Sequence, residues 1–346
     1  AYYERAGFAH VFATLERAPD HLAERLAAID GVRRVETRIV REVVLDVRGF
    51  AEPVTGRLIS LPPRGPPQLN RPMLETGRLP AAGVLDEVVL SAAFAEAHAL
   101  RPGDTIAANI NGKRRRLAVV GTANSPEYVY ALPPGGLMPD DRRFGVAWVA
   151  EPLLAAAFDM EGAFDDASLT LTPKASEDAV IAAVDRLLAP YGGTGAIGRA
   201  DQLSNWFLSS EIRQLRTIAT VMPSVFLAVS AFLMHMATSR LIALERREIG
   251  LLKAFGYRDL AVAWHYTRFA LAIAALATVV GVVGGWWLGR TISISYAEVF
   301  RFPFLAYRLD PKIALVAAGV ALAVASLGAV AAVRRAVRLP PAVAMR

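Results

Sequence analysis

The chain has 346 residues, of which 54% are hydrophobic, and it carries a formal net charge of +6 at pH 7. This length predicts at least two domains, and because the sequence contains no cysteine, it excludes disulfides, thiolate zinc sites and cysteine nucleophiles. The basic residues gather beside long apolar runs, a distribution typical of the cytoplasmic loops of membrane proteins, so no nucleic-acid partner is expected.

The amino-terminal part, residues 1–213, has the composition of a soluble α/β domain. Residues 20–29 predict a helix with Asp20 as its N-cap, since apolar residues recur there at helical spacing. Residues 32–47 are rich in β-branched side chains at strand spacing and predict strands. The proline-rich residues 61–67 predict a loop or an extended segment.

A second series of elements follows from residue 86. The dipeptide Asn111-Gly112 between two strand-like segments predicts a tight hairpin turn. The further predicted elements are strands at 87–90, 105–110, 115–120 and 148–150, and helices at 91–99 and 176–189. This mixture predicts an α+β domain with two lobes, and residues 201–216 predict a stalk helix that leads out of it.

Two patterns that resemble catalytic motifs do not predict an enzyme. Residues 193–198 match G-x-G-x-x-G, but a dinucleotide site needs a strand before the motif, and here a predicted helix precedes it. Asp140-Asp141 and Asp165-Asp166 are adjacent carboxylates in turn-like contexts, which does not favour a paired acid and base. We therefore expect no catalytic residue, no cofactor and no metal site in the chain.

The carboxyl-terminal part contains three apolar runs without an acidic or basic residue, at 217–239, 269–289 and 313–333. At a helical rise of about 1.5 Å per residue, each run is about 30 Å long, which matches the hydrocarbon core of a bilayer. The sequence therefore predicts an all-α transmembrane domain of three spans over residues 214–346.

The basic residues near these runs predict the orientation of the spans. The first connection contains Arg240, Arg246, Arg247, Lys253 and Arg258. The stretch after the third run contains Arg334, Arg335, Arg338 and Arg346. The second connection, residues 290–312, has only Arg290, Arg301, Arg308 and Lys312, so the positive-inside rule places the first connection and the tail in the cytoplasm. Residues 1–213 then lie on the opposite side of the membrane.

Small and polar residues inside the apolar runs predict contacts between helices. Gly281, Gly285 and Gly289 recur at every fourth position, which leaves one helix face bare and favours the close approach of another helix. The alternative is the general tolerance of glycine in membrane helices. His235 lies near the cytoplasmic end of the first run, where we expect a solvated or interhelical hydrogen-bonding role.

A charged segment, residues 244–257, connects the first two runs. On a helix over 245–256, Ile249, Leu252 and Phe255 share a face, with Leu251 at its edge. Such a short amphipathic helix can lie in a groove of a partner protein. It can also rest on lipid, or be only a connecting turn, and amphipathicity alone does not separate these alternatives.

Several segments resemble a known family. Residues 248–257 and 338–346, together with the arrangement of the spans, resemble the FtsX-like permease family. Residues 1–213 resemble the MacB-type periplasmic core domain. This second resemblance rests on four short sequence segments, Gly77-Arg78-Leu79-Pro80, Glu87-Val88-Val89-Leu90-Ser91, Leu100-Arg101-Pro102-Gly103-Asp104 and Val119-Val120-Gly121.

The resemblance implies a permease subunit of an ABC transporter in a bacterial inner membrane, with the large domain in the periplasm. Such a subunit transmits motion from a cytoplasmic ABC ATPase to the periplasmic domain, and the cargo is a lipoprotein, a peptide or a small hydrophobic molecule. The expected partners are the ATPase, a second permease copy or module, and membrane lipid. The residues expected to contact the ATPase are Glu248, Ile249, Gly250, Leu252, Lys253 and Gly256.

In that family a helix precedes the exported domain, so we expect this sequence to be an excerpt of a longer chain. A different hypothesis is a membrane-anchored extracytoplasmic sensor or scaffold with no ATPase partner. Co-purification of an ATPase would separate the two hypotheses. The sequence does not identify the cargo, the number of helices in the whole protein or the pairing of its subunits.

Overall fold

A computed structural model describes residues 2–299 and 307–337. The described residues divide into two compact units. The first, which we call the α/β unit, comprises residues 2–211 and 297–299. The second, the helical unit, comprises residues 212–296 and 307–337. Residues 338–346, one of the segments on which the family resemblance rests, lie outside the described residues.

The α/β unit is built from eleven strands and five helices, with two short 3-10 turns at Pro126–Tyr128 and Ala189–Tyr191. The strands are β1 (Val11–Pro19), β2 (Val32–Arg38), β3 (Val40–Asp46), β4 (Val54–Leu61), β5 (Met73–Gly77), β6 (Glu87–Ser91), β7 (Thr105–Ile110), β8 (Lys113–Asn124), β9 (Phe144–Ala150), β10 (Ala163–Leu171) and β11 (Ile197–Gly198). The helices are α1 (Tyr2–Arg5), α2 (Leu22–Ala27), α3 (Ala92–Ala97), α4 (Glu151–Phe158) and α5 (Glu177–Leu188).

These strands form two sheets, which confirms the predicted α+β fold with two lobes. A four-stranded sheet has the order β11-β1-β10-β2, and a seven-stranded sheet has the order β5-β8-β6-β9-β4-β3-β7. An additional β7–β8 pairing closes six strands of the larger sheet into a ring. Strand β2 belongs to the small sheet and β3 to the large one, so the chain passes between the sheets at Ile39.

Each sheet has its own hydrophobic core. Helices α2 and α5 cover the four-stranded sheet with Leu22, Leu26, Val180 and Val184, all of which are buried. Ser176 caps α5, because its hydroxyl accepts a hydrogen bond from the backbone nitrogen of Ala179. The larger sheet encloses a separate cluster that includes residues of β3, β4, β6 and β7.

Two local predictions are corrected by the structure. Helix α2 begins at Leu22 with His21 in the N-cap position, so Asp20 is not the cap. Asp165-Asp166 lie within strand β10 and not in a turn. At the second place, strand β10 occupies residues whose polar content concealed it.

The helical unit is formed by four helices, the first of which begins in the α/β unit. They are α6 (Leu203–Leu244), α7 (Arg246–Ala254), α8 (Asp259–Val299) and α9 (Pro311–Val337). Three of them are long and apolar enough to cross a membrane, over Leu203–Leu244, Leu260–Tyr296 and Pro311–Ala331. The three long apolar helices that the sequence predicted are therefore present in the described residues, and the predicted stalk is continuous with the first of them.

Candidate functional site

Helix α7 packs against the three long helices through one side chain. Ile249 is only 4% exposed and joins a buried cluster with Ile242 of α6, Val262 and Tyr266 of α8, and Val333 of α9. The start of α7 is also fixed to α8, since the Tyr266 hydroxyl donates a 2.5 Å hydrogen bond to the Glu245 carboxylate. Helix α7 therefore contributes Ile249 to one buried cluster with residues of α6, α8 and α9.

The opposite side of α7 is apolar and exposed. Leu251, Leu252 and Phe255 are 51%, 37% and 79% exposed, and we call these three residues the α7 apolar face. The sequence placed Ile249 on one helix face with Leu252 and Phe255; in the structure Ile249 is buried in the helical unit, whereas Leu252 and Phe255 are exposed. Leu251 takes its place on the exposed side.

The six residues expected to contact an ATPase are divided between these two sides. Glu248 and Leu252 are exposed, whereas Ile249 and Gly250 are buried. The side chain of Lys253 lies outside the described part of the chain. Their role in docking stays a prediction.

Gly256, the last of the six, ends α7. Its φ of +89° lies in the left-handed region, and the backbone nitrogen of Tyr257 donates to the Leu252 carbonyl oxygen at 3.1 Å. This bond pattern is a Schellman motif, in which glycine is favoured because another residue would be strained. Gly256 therefore fixes the exit of the chain from α7.

The three glycines predicted to favour helix packing have different surroundings. A Cβ atom added to Gly281 or Gly285 would meet no described atom within 4 Å, whereas at Gly289 it would lie 2.5 Å from the Tyr307 hydroxyl. Gly281 and Gly285 line a cavity of about 510 Å³ between α6, α8 and α9. Their predicted contact with another helix is not made within the described helical unit.

Helices α6 and α9 approach each other closely at a glycine that sequence reasoning missed. A Cβ atom on Gly328 would lie 2.7 Å from the carbonyl oxygen of Ala231. His235 Nδ1 lies 3.3 Å from the Gly328 carbonyl oxygen, as expected for an interhelical hydrogen bond. Gly328 is recognisable in the sequence only as one more small residue in an alanine-rich run.

The beginning of α6 is anchored to the loop that follows β8. The Gln202 side-chain amide donates to the Glu127 carbonyl oxygen at 2.9 Å, and the Tyr130 backbone nitrogen donates to Ser204 Oγ at 2.7 Å. The Tyr130 and Phe207 rings are also in contact, with centroids 4.7 Å apart. These contacts hold the first turn of α6 within the α/β unit.

The same loop carries one end of a buried ion cluster. The Arg38 guanidinium donates to both carboxylate oxygens of Glu127, at 2.6 and 2.9 Å, and to Asp166 Oδ1 at 2.6 Å. Burial disfavours the charge on Arg38, but Asp166 and Glu127 outweigh it and raise the pKa of Arg38, so the guanidinium stays charged. Arg38 ends β2 and Asp166 lies in β10, whereas Glu127 follows β8, so the cluster joins the two sheets.

A second acidic group lies beside this junction. Asp165 forms an ion pair with Arg41, and its Oδ1 accepts a 2.8 Å hydrogen bond from the Val40 backbone nitrogen. Burial raises the pKa of Asp165 to about 6, although Val40 and Arg41 act in the opposite direction. Sequence reasoning missed the whole junction, because its members are far apart in the chain.

The structure offers no obvious place for a catalytic metal. Within residues 2–299 and 307–337, no three His, Asp or Glu side chains lie close enough together to hold a metal ion. The described residues combine three helices that are long and apolar enough to cross a membrane, an exposed amphipathic helix and a two-sheet α/β unit. This combination is typical of a transmembrane protein with a large α/β unit.

Comparison with known proteins identifies the helical region more closely. Residues 220–341 match the family model described as FtsX-like permease C-terminal. The helical region is therefore similar to the FtsX-like permease C-terminal domain, which confirms the predicted resemblance for this part of the chain. No curated protein matches the sequence.

Among the solved structures that are similar to the chain are a periplasmic region and an extracellular domain. The periplasmic region of MacB from Actinobacillus actinomycetemcomitans is 12% identical with a TM-score of 0.37, and the similarity covers 63% of this chain and 96% of that one. The extracellular domain of the noncanonic ABC-type transporter YknZ from Gram-positive bacteria is 11% identical with a TM-score of 0.35, over 55% of this chain and 98% of that one.

Proposed function

We propose that the chain is the permease subunit of an ABC transporter in a bacterial inner membrane, which transmits motion from a cytoplasmic ATPase to a periplasmic α/β unit. The observation that carries the proposal is the α7 apolar face. A short helix between two candidate spans is held from behind by Ile249 and exposes Leu251, Leu252 and Phe255. Such a helix suits the groove of a partner protein.

The charge distribution supports this orientation. The connection that contains α7 is the more basic of the two connections, which favours the cytoplasm for α7. Residues 1–213 precede the first span and are then periplasmic, and residues 214–346 form the membrane domain. The family match to residues 220–341 favours the same organisation.

The contacts of α7 supply the first step of transmission. Because Ile249 packs against α6, α8 and α9 at once, a push on α7 is passed to all three long helices. Helix α6 is 42 residues long and begins at Leu203, one residue after Gln202. Gln202 binds the backbone of Glu127, and Glu127 binds Arg38 at the junction of the two sheets. Motion along α6 thus reaches the point where both sheets meet.

The remaining partners are a second permease copy or module and membrane lipid, and the cargo is inferred from the resemblance to the family. A second permease copy or module is a further expected partner, because the four-residue spacing of Gly281, Gly285 and Gly289 favours the close approach of another helix. Membrane lipid surrounds the exposed apolar side chains of the long helices. The cargo is a lipoprotein, a peptide or a small hydrophobic molecule that the periplasmic unit handles.

The experiment that tests the function uses the α7 apolar face. The full chain carrying Leu252→Asp and Phe255→Asp is purified with its ATPase, and the ATPase rate is measured. We expect stimulation of the ATPase to fall at least tenfold, since two charges are placed in an apolar contact. Leu137→Asp in the α/β unit is the matched control, because Leu137 is 86% exposed and lies in the other unit.

The alternative, a sensor or scaffold without an ATPase, makes the opposite prediction. It predicts that no nucleotide-binding protein co-purifies with the full chain from its native membrane. Normal stimulation of the ATPase by the Leu252→Asp, Phe255→Asp chain would contradict docking through α7. A lowered melting temperature of that variant would show misfolding, and Leu252→Ser would then replace Leu252→Asp.

A further inference from the structure

A second cavity, of about 430 Å³, lies in the α/β unit and is rich in positive charge. Its walls come from the residues that precede β1, the loop before β5 and the end of β10. The ionisable side chains that line it are Glu4, His10, Arg33, Arg34, Arg71 and Arg199. Four guanidinium groups therefore share this concave surface with one carboxylate.

Arg199 is held in a fixed position in this cavity. Its Nε donates to the Ala9 carbonyl oxygen at 2.7 Å, and its Nη2 donates to the Phe8 carbonyl oxygen. The guanidinium also lies over the Phe8 ring, 5.1 Å from its centroid. Burial lowers the pKa of Arg199 and outweighs the opposing effect of Glu177, so this charge is incompletely compensated within the protein.

Arg34 reaches the same cavity from the edge strand β2. Its Nη1 donates to the Gln68 side-chain oxygen at 3.2 Å. The nearest carboxylate on that strand, Glu36, is already bound by the backbone nitrogens of Gln68 and Leu69. The pairing of β2 with β10 shifts register beside Arg33, a bulge that re-aims side chains at this end of the strand.

His10 adds a neutral hydrogen-bond donor. Its Nδ1 accepts a 3.3 Å hydrogen bond from the Leu171 backbone nitrogen, so in the neutral ring the proton is on Nε2. Burial and the neighbouring Arg199 lower the pKa of His10. The ring therefore stays neutral near pH 7 and offers one N–H group without adding charge.

We propose that this cavity binds a phosphate-bearing anion. Guanidinium groups recognise phosphate oxygens through paired hydrogen bonds, and several of them together favour a ligand with more than one negative charge. The cavity lies within the range of about 300–1,000 Å³ that is usual for small-molecule sites. The anion could be free inorganic phosphate or the phosphate of a phospholipid headgroup, and the experiment distinguishes these two sources. This site is independent of the docking of α7.

The test measures binding to the full chain in non-ionic detergent, by calorimetry at constant ionic strength. The two probes are inorganic phosphate and dihexanoyl phosphatidic acid, with dihexanoyl phosphatidylcholine as the zwitterionic comparison. Arg34→Ala with Arg71→Ala removes two exposed guanidinium groups from the cavity. We expect this double variant to bind the anionic probe at least tenfold more weakly than the unmodified chain.

Arg115→Ala with Arg116→Ala is the matched control, because it removes two exposed arginines of the β7–β8 hairpin. We expect it to bind as the unmodified chain does. Binding of both anionic probes would assign the site to phosphate itself, and binding of the phosphatidic acid alone would assign it to a lipid headgroup.

The proposal is overturned if neither anionic probe binds, or if the two double variants weaken binding equally. It is also overturned if phosphatidylcholine binds as tightly as phosphatidic acid. Arg34→Lys with Arg71→Lys guards against misfolding, since it keeps both charges but not the paired hydrogen-bond geometry. We expect an intermediate affinity for this variant, and an affinity equal to that of the unmodified chain would exclude guanidinium recognition.

Discussion

Arg38 is the side chain through which the two sheets of the α/β unit are joined. It is 7% exposed and binds two carboxylates, Glu127 from one lobe and Asp166 from the other. A buried charge of this kind is tolerated only because its partners are hydrogen-bonded to it, and its removal leaves two carboxylates buried without a cation. The cluster therefore specifies how the lobes are joined.

Arg38→Ala should destabilise the α/β unit by about 3–5 kcal/mol, since it leaves Glu127 and Asp166 buried and unpaired. Denaturant unfolding of the full chain in detergent measures this change. The control is Arg143→Ala, because Arg143 is exposed and its partner Glu52 is exposed too. The control should cost less than about 1 kcal/mol, and equal effects of the two substitutions would contradict the role given to Arg38.

Asp165 should make the stability of the α/β unit depend on pH. Its pKa is raised from 3.8 to about 6 in the folded state, so the folded protein binds this proton more tightly than the unfolded chain does. The resulting stabilisation is complete below about pH 4 and is lost as the pH rises through 6. Between these limits the stability of the unmodified chain falls relative to a variant that cannot titrate.

Asp165→Asn removes this titration. Between pH 4 and pH 7.5, the unfolding free energy of the variant should rise relative to that of the unmodified chain by about 3 kcal/mol, from about 1.4 kcal/mol per pKa unit. Unfolding curves of both proteins at the two pH values measure the difference. A difference that stays constant between the two pH values would show that Asp165 does not have a raised pKa.

The residue-level features that were predicted depend on neighbouring residues, whereas the one that was missed depends on residues far apart in the sequence. The turn at Asn111-Gly112 was predicted from two residues, and φ values of 47° and 76° confirm it. The ion cluster was not predicted, because Arg38 is separated from Glu127 by 89 positions and from Asp166 by 128. Nothing local marks these residues as partners, since each reads as an ordinary surface charge.

At the scale of elements, the amphipathic pattern predicted a helix at α7 but not which side would be buried. An apolar side chain between two membrane spans can pack inward or face a partner, and the helical period does not distinguish these outcomes. Ile249 faces inward because residues of α6, α8 and α9 converge on it. Helix α5 was predicted within one residue at each end, since its cap and its apolar spacing are both local.

At β10 the prediction from the sequence was wrong. Its residues Asp165 and Asp166 were interpreted as a turn, because carboxylates in a central strand are uncommon. In the structure, Asp165 forms an ion pair with Arg41 and Asp166 forms one with Arg38, and these pairs stabilise the two carboxylates within the strand. Strand signals therefore fail where the partners of a polar residue are distant in the sequence.

Two glycines of the long helices should respond differently to substitution. Gly328→Leu places a side chain against the Ala231 backbone, so it should separate α6 from α9 and lower the melting temperature in detergent. The Cβ atom of Gly281→Leu would meet no described atom within 4 Å, so this substitution should lower the melting temperature much less than Gly328→Leu does.

The same pair of variants tests the predicted contact with a second copy or module. If a helix packs on Gly281, Gly281→Leu should shift the chain towards the monomer in light-scattering measurements while its melting temperature is kept. An unchanged oligomeric state would contradict the close packing of another helix on Gly281. An equal loss of melting temperature in both variants would contradict the described arrangement of α6, α8 and α9.

At the scale of the whole molecule, one helix connects the sites discussed above. Helix α6 contacts Ile249 through Ile242 near its end, and its first turn is bound to the loop that carries Glu127. The sequence predicted a stalk helix leading towards the first apolar run, and the structure has one continuous helix over Leu203–Leu244.

The central claim is that α7 and the α/β unit lie on opposite sides of the membrane. The sequence contains no cysteine, so a single introduced thiol reports its own location without background. Arg64 of the α/β unit and Arg258, which follows α7, are both exposed arginines and form a matched pair of sites. Each is replaced by cysteine in a separate variant of the full chain.

The decisive measurement is labelling with a membrane-impermeant maleimide in spheroplasts, before and after permeabilisation. The account predicts that Arg64→Cys reacts in intact spheroplasts and that Arg258→Cys reacts only after the membrane is opened. Reaction of both thiols in intact spheroplasts, or of neither, would contradict it.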